Sequence, residues 1–259
     1  MIRVLSRGAG SATRRVLLIA GSDARGAAYG AFTLSRLWGV SPWQWWADVT
    51  PARRKTLAVA GDIDVREGPS VRYRGIFIND EDWGLRPWAS KTYEPEVGNI
   101  GPKTYARVFE LLLRLKANTI WPAMHPGTTP FFKVPGNEET ARRYDIIVGT
   151  SHAEPMMRNN VGEWDEKSMG PFNYVTNRDS VYEYWARRVK QAARDDDIYT
   201  LGMRGVHDSK MEGAATVSQE RRVLEQVIRD QRGLIRAYVD TDERKVPQVF
   251  IPYKEVLPV

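Results

Sequence analysis

Five short apolar runs, each followed at once by polar or charged residues, constrain this chain more than any other feature. They read VRYRGIFIND (71–80), ANTIWPAMH (117–125), YDIIVGTSH (144–152), IYTLGMRGVHD (198–208) and PQVFIPYKE (247–255). Each is rich in β-branched or aromatic residues, the composition of a strand. Between them lie KTYARVFELLLRLKAN, NEETARRY, SVYEYWARRVKQAARDD and SQERRVLEQVIRDQRGLIRAYV, in which apolar residues recur at helical spacing. Strands alternating with helices imply βα units and a parallel sheet, and runs that are apolar throughout suit strands buried on both faces.

The ends of these runs carry the chemistry. All three histidines of the protein, His125, His152 and His207, fall at the C-terminal end of a predicted strand, as do Asn79, Asp80, Glu81, Glu154, Asp208 and Glu255. In a (β/α)8 barrel the C-terminal strand ends converge on one face and build the active site. An open doubly wound sheet gathers ligands only where its strand order reverses. Because polar groups follow every strand, the reading is a barrel, and the five strands found make it an incomplete (β/α)8 TIM barrel. The chain is therefore expected to be part of a longer protein.

Before the first run, Arg15 to Ala20 reads as a strand. Ser22 or Asp23 then caps a helix that places Tyr29, Phe32, Thr33 and Leu37 on one face and stops at Gly39. The polar stretch GDIDVREGPSV separates this part from the rest. The expected organisation is α/β: a partial α/β N-terminal domain over 1–66, then the incomplete barrel over 67–259.

Composition excludes several functions. The chain has no cysteine, so disulfides, thiolate zinc sites and cysteine nucleophiles are ruled out. The net charge of +6 is spread along the sequence with no basic tail, which argues against nucleic acid and fits an acidic small substrate. No run approaches the roughly 20 apolar residues of a membrane span. The run Val16 to Ala20 is shorter than the roughly 7 to 15 residues of a secretory signal core, so no export signal is read. Glycines 21, 26 and 30 match neither a dinucleotide fingerprint nor a phosphate loop and suit a tight strand-to-helix turn. The tryptophans of SPWQWWADV read as packing residues in preference to a sugar platform.

Three histidines on three different strands lack the spacing of a metal motif, and neither a metal nor another cofactor is expected. A metal-dependent barrel hydrolase built on those histidines stays open as an alternative. So does a fragment without catalysis of its own, since an open half barrel exposes sheet edges.

Asp208 and Glu255 end adjacent predicted strands and can flank one glycosidic bond, one as proton donor and the other as base or nucleophile. Arg204 offers a planar fork for a carboxylate. That carboxylate can equally be Asp208, one turn of sequence away. Asn79 and Glu81, followed by Trp83 and Trp88, suit sugar hydroxyls.

The blocks GSDARGAAYGAFTLSRLWGVSPWQWWADV, YRGIFINDEDWGLRPWA, NTIWPAMH, GTSHAEPM, LGMRGVHDSKM and QVFIPYKEV closely resemble glycoside hydrolase family 115, the xylan α-1,2-glucuronidases. The resemblance runs in order from about Ala20 to the end. It implies a preceding α/β domain and a (β/α)8 barrel that removes glucuronic acid, or its 4-O-methyl form, from glucuronoxylan or its oligosaccharides with inversion. By this resemblance Glu255 matches the general acid, and Asp208 matches a carboxylate that is base or substrate ligand. Arg204 and Glu81 match further active-site positions, with Asn79, His125, His152 and His207 as substrate-binding candidates. The full-length parent is expected outside the cytoplasm, extracellular or periplasmic, with a homodimer as an option. Later barrel strands, which supply further site residues in the family, lie outside this sequence.

Overall fold

A computed structural model of the chain describes residues 1–8, 14–194 and 196–259, the side chains of Arg7 and Glu255 excepted. The elements that carry the argument are β1 (Ile2–Arg7), β2 (Arg14–Ile19), α1 (Ala24–Leu37), β3 (Asp64–Val65), β4 (Gly75–Phe77) and α2 (Pro102–Arg114). They continue with β5 (Thr119–Trp121), α3 (Asn137–Arg143), β6 (Ile147–Val148), α4 (Arg178–Ala192), β7 (Tyr199–Leu201), α5 (Val217–Tyr238) and β8 (Gln248–Phe250). The fold is α/β with parallel strands. No described helix is long and apolar enough to cross a membrane. The chain divides into two compact units, one of residues 1–75, 106–119 and 143–145, the other of residues 76–105, 120–142 and 146–259.

In the first unit β1 pairs antiparallel with both β2 and β3, giving the order β2-β1-β3. Sequence periodicity points to β2 but not to β1, where Arg3, Ser6 and Arg7 dilute the apolar signal. Asp23 caps α1, its carboxylate accepting the Gly26 N–H at 2.6 Å. The glycines of this segment serve packing: a Cβ on Gly30 would lie 2.5 Å from Ile19 Cγ2. The tryptophans also pack, Trp45 edge-on to Trp46 with Arg107 over the Trp45 ring and Trp46 Nε1 donating to the Arg107 carbonyl.

The second unit holds the strand ends. Within the first unit Thr119 N–H donates to the Arg74 carbonyl, and within the second Ile78 N–H donates to that of Trp121, so the partner numbers rise together and β4 runs parallel to β5. Gly149 N–H reaches the Ile120 carbonyl, joining β6 to β5. Ile198 N–H donates to the Val148 carbonyl and Thr200 Oγ1 to that of Thr150, which sets β7 parallel beside β6. β8 pairs parallel with β7, Thr200 opposite Val249. The five strands thus lie side by side in chain order.

Each strand is only two or three residues long, against predicted runs of nine to eleven. Backbone chemistry cuts them short. Pro122 and Pro252 follow β5 and β8 and have no N–H for the ladder. Gly202, directly after β7, sits at φ +104, a left-handed conformation that favours glycine. The rest of each run therefore leaves the sheet as a polar loop.

Helices α4 and α5 cover β7. Val181, Trp185, Val189, Leu224, Val227, Leu234 and Ile235 pack with Tyr199, Leu201 and Met203 in one apolar core. Burying each such side chain contributes roughly 1.5–3 kcal/mol. Within this core Gln231 is fully buried, and its amide holds both backbone polar groups of one residue: Oε1 accepts the Gly202 N–H at 2.7 Å and Nε2 donates to the Gly202 carbonyl at 2.8 Å. That pair of bonds fixes the point where the chain leaves β7 toward Arg204. Replacing Gln231 with leucine keeps the volume and strands both polar groups, so urea unfolding of Gln231→Leu is expected to show a loss of about 2–4 kcal/mol.

Candidate active site

The loop after β7 folds back on itself. Gly205 N–H donates to the Ser209 carbonyl at 2.9 Å and Ser209 N–H to that of His207 at 2.8 Å. A Cβ on Gly205 would lie 1.9 Å from Ser209 Oγ, so only glycine permits this closure. The result returns Asp208 over the buried Arg204, with Arg204 NH1 3.2 Å from Asp208 Oδ1. The ion pair weighed from sequence is thus formed. Asp208 gains a second cation from the loop after β8, where Lys254 Nζ donates to Oδ2 at 2.6 Å. His152, from the loop after β6, places Nε2 3.6 Å from Asp208 Oδ1. The ring of Tyr253 lies 4.4 Å from that of His152, and both Arg204 and Lys254 sit over it. The Lys254 hydrogen bond, then the charge of Arg204, holds the Asp208 carboxyl below the usual aspartate range; exposed His207 adds to this. Asp208 is a persistently ionised group.

A second constellation joins the loops after β4 and β5. Glu81 is buried, and its Oε1 accepts the His125 backbone N–H at 2.6 Å. His125 Nδ1 lies 3.0 Å from Asp82 Oδ1 and 3.9 Å from Glu81 Oε2. This bond with His125 holds the Asp82 carboxyl low. Among the described residues Glu81 Oε2 is buried without a hydrogen-bond partner, which leaves an acceptor for a sugar hydroxyl or a cation. One ligand atom from each of Glu81, Asp82 and His125 falls within 4.8 Å of the others.

The two constellations share a wall. Ser151 Oγ donates to Met124 Sδ at 3.0 Å, and Asn159 Nδ2 donates to the Met124 carbonyl, so the residue before His125 is bound to the residue before His152. Of the residues expected from sequence, Glu81 and His125 stand in one constellation, and His152, Arg204 and Asp208 in the other. Asn79 and His207 are exposed, His207 near enough for its charge to act on Asp208. Glu255 lies in a short 3-10 turn, Lys254–Val256, and its side chain lies outside the described residues. Sequence reasoning grouped Asp82 with the acidic run Asn79 to Asp82 without choosing it, and passed over Tyr253 and Lys254. Asp82 and Lys254 each adjoin a chosen carboxylate, and that adjacency was the available signal.

Replacing Lys254 with methionine removes the strongest influence on Asp208 while keeping the stem. In Lys254→Met the Asp208 carboxyl carbon is expected to titrate at higher pH than in the wild type, read by 13C NMR.

The model of glycosyl hydrolase family 115 matches residues 66–259. A solved structure described as a novel family GH115 4-O-methyl-α-glucuronidase, BtGH115A, with specificity for decorated arabinogalactans, superposes with a TM-score of 0.89 at 55% identity. The match covers 99% of this chain and 33% of that one, so the chain spans about a third of its length. No curated protein matches. A family match over most of the chain, together with that identity along nearly its whole length, makes this chain a member of glycoside hydrolase family 115.

Proposed function

We propose that the chain belongs to an inverting glycosidase that removes glucuronic acid, or its 4-O-methyl form, from polysaccharide side chains, and that β4 to β8 are five strands of its (β/α)8 barrel. In this reading residues 67–259 are barrel and residues 1–66 a partial N-terminal domain. A polymeric substrate suits an enzyme working outside the cytoplasm. The observation that carries the reading is the group of Arg204, Lys254, Asp208, His152 and Tyr253 at adjacent strand ends, in a chain 55% identical to a glucuronidase.

In the group, Arg204 and Lys254 both face Asp208, with the aromatic ring of Tyr253 beneath. A uronate carboxylate competes with Asp208 for Arg204 and Lys254. As the cations turn to the substrate, Asp208 loses the interactions that depress its basicity and becomes a better base for the attacking water. Glu255, in the next turn of chain, donates a proton to the leaving oxygen. Inversion requires the two carboxyl groups about 6.5–9.5 Å apart, with the water between them. Glu81, Asp82 and His125 hold hydroxyls of the sugar.

The full-length enzyme with Glu255→Gln or Asp208→Asn is expected to release uronic acid about 10²–10⁴-fold more slowly than wild type. Glucuronoxylan and arabinogalactan assayed in parallel distinguish the aglycone. NMR of the fresh product should show the β anomer; an α anomer, or undiminished turnover in either variant, sinks the assignment. The Glu81–Asp82–His125 geometry also favours a second reading, a metal-assisted hydrolase. Activity lost on exhaustive chelation and restored by a divalent ion would establish it in place of the first.

A further inference from the structure

Glu154 is a buried carboxyl that the reaction above does not use. Its Oε2 lies 3.1 Å from Ser151 Oγ and 3.3 Å from Ser151 N, and its carbonyl accepts the Thr150 hydroxyl at 2.7 Å. Glu154 N–H in turn donates to the Ser151 carbonyl. These bonds close a turn with His152 at its tip, facing Asp208. Immediately after it, Met156 and Met157 are both buried and both left-handed, at φ 55 and 59. Non-glycine residues adopt that conformation only where the surroundings enforce it. The turn is held from both sides.

We propose that Glu154 is a positioning residue: through Ser151 it fixes the turn that carries His152 and ties that turn to the strand end that carries His125. Its relevance to catalysis rests on the reading of the site given above. Ser151 is the joint. Its hydroxyl has one proton and two acceptors within reach, Met124 Sδ at 3.0 Å and Glu154 Oε2 at 3.1 Å. When Glu154 is neutral, its own proton goes to Ser151 Oγ, and the Ser151 proton goes to the Met124 sulfur. When Glu154 is ionised, the Ser151 proton turns to the carboxylate and the link to Met124 is given up. Burial above all, helped by the carboxylates of Glu163 and Glu81 and opposed by the Ser151 donors, pushes the Glu154 carboxyl up from 4.5 to about 8. The hydroxyls of Tyr105 and Tyr184 also face it. The neutral, linked arrangement therefore prevails at neutral pH.

The sign follows. A carboxyl whose folded value is raised contributes stability that is complete below 4.5, is lost as the pH climbs to about 8, and changes no further above that. Glutamine imitates the neutral acid at every pH.

With only three histidines in the chain, their imidazole 13Cε1–1Hε1 signals give a direct test in the 259-residue protein. In the wild type both His152 and His125 should show a step near pH 8 in addition to their own titrations. Glu154→Gln should match the wild type at pH 6, lack that step, and lose the fall of unfolding free energy between pH 4.5 and 8. Ser151→Ala should keep the step at His152 and abolish it at His125. A step that persists in Glu154→Gln, or a His125 signal indifferent to both variants, overturns the proposal. In the full-length enzyme Glu154→Ala should lower kcat about 10²-fold through misplacement of His152, while Glu154→Gln keeps kcat and extends it to higher pH. If the NMR results hold and kcat ignores both variants, the positioning role stands and the assignment of the active site fails.

Discussion

The parallel register of β6, β7 and β8 is the constraint on which the rest depends. Three backbone and side-chain bonds set it: Val148 carbonyl to Ile198 N–H, Thr150 carbonyl to Thr200 Oγ1, and the ladder that puts Thr200 opposite Val249. In a parallel arrangement the C-terminal ends come level, so whatever follows each strand meets on one side. Asp197 reinforces the register at the start of β7, where its buried carboxyl accepts the Val148 N–H at 2.9 Å. A slip of one residue would turn every side chain to the opposite face and separate His152 from Asp208. Gln231 locks the far end of the same strand by holding both polar groups of Gly202.

On this frame two carboxyls are driven in opposite directions by their surroundings. Lys254 and Arg204 hold Asp208 ionised, whereas burial drives Glu154 toward the neutral acid. The turn that Glu154 closes carries His152, which faces Asp208. The division also explains the burial pattern. The ionised acid stays partly open to water and to substrate, and the neutral one is enclosed, where a fixed charge would be costly.

The strands and most helices were legible because apolar periodicity reports burial directly: five runs ending in polar residues became five strands, and Asp23 caps α1 where its spacing suggested. The site was legible only as far as strand ends reveal it. Lys254 carries no signature in sequence, since an exposed lysine beside a glutamate is ordinary, and its meaning comes from a bond to Asp208 across the loops after β7 and β8. Gln231 is hidden in the same way, one amide on a helix rich in charged residues, its partner Gly202 set by the fold. Asn79 and His207 follow strands as the pattern requires yet face solvent, because a strand end fixes where a loop starts and not where its side chains turn.

Charge balance gives the arrangement its preference. Among the described side chains, Arg204 and Lys254 both bring a positive charge to Asp208. Arg204 is almost wholly buried, and a guanidinium withdrawn from water is tolerated only where anions replace its hydration. Asp208 turns one oxygen to it and the other to Lys254, so one carboxylate is shared between the two cations. Under the proposed reading an incoming uronate brings its own carboxylate to the same two cations. A neutral hexose supplies no such charge and would leave Asp208 clamped and weakly basic. Discrimination and activation of the base then arise from one exchange of ion-pair partners, without requiring the backbone to move.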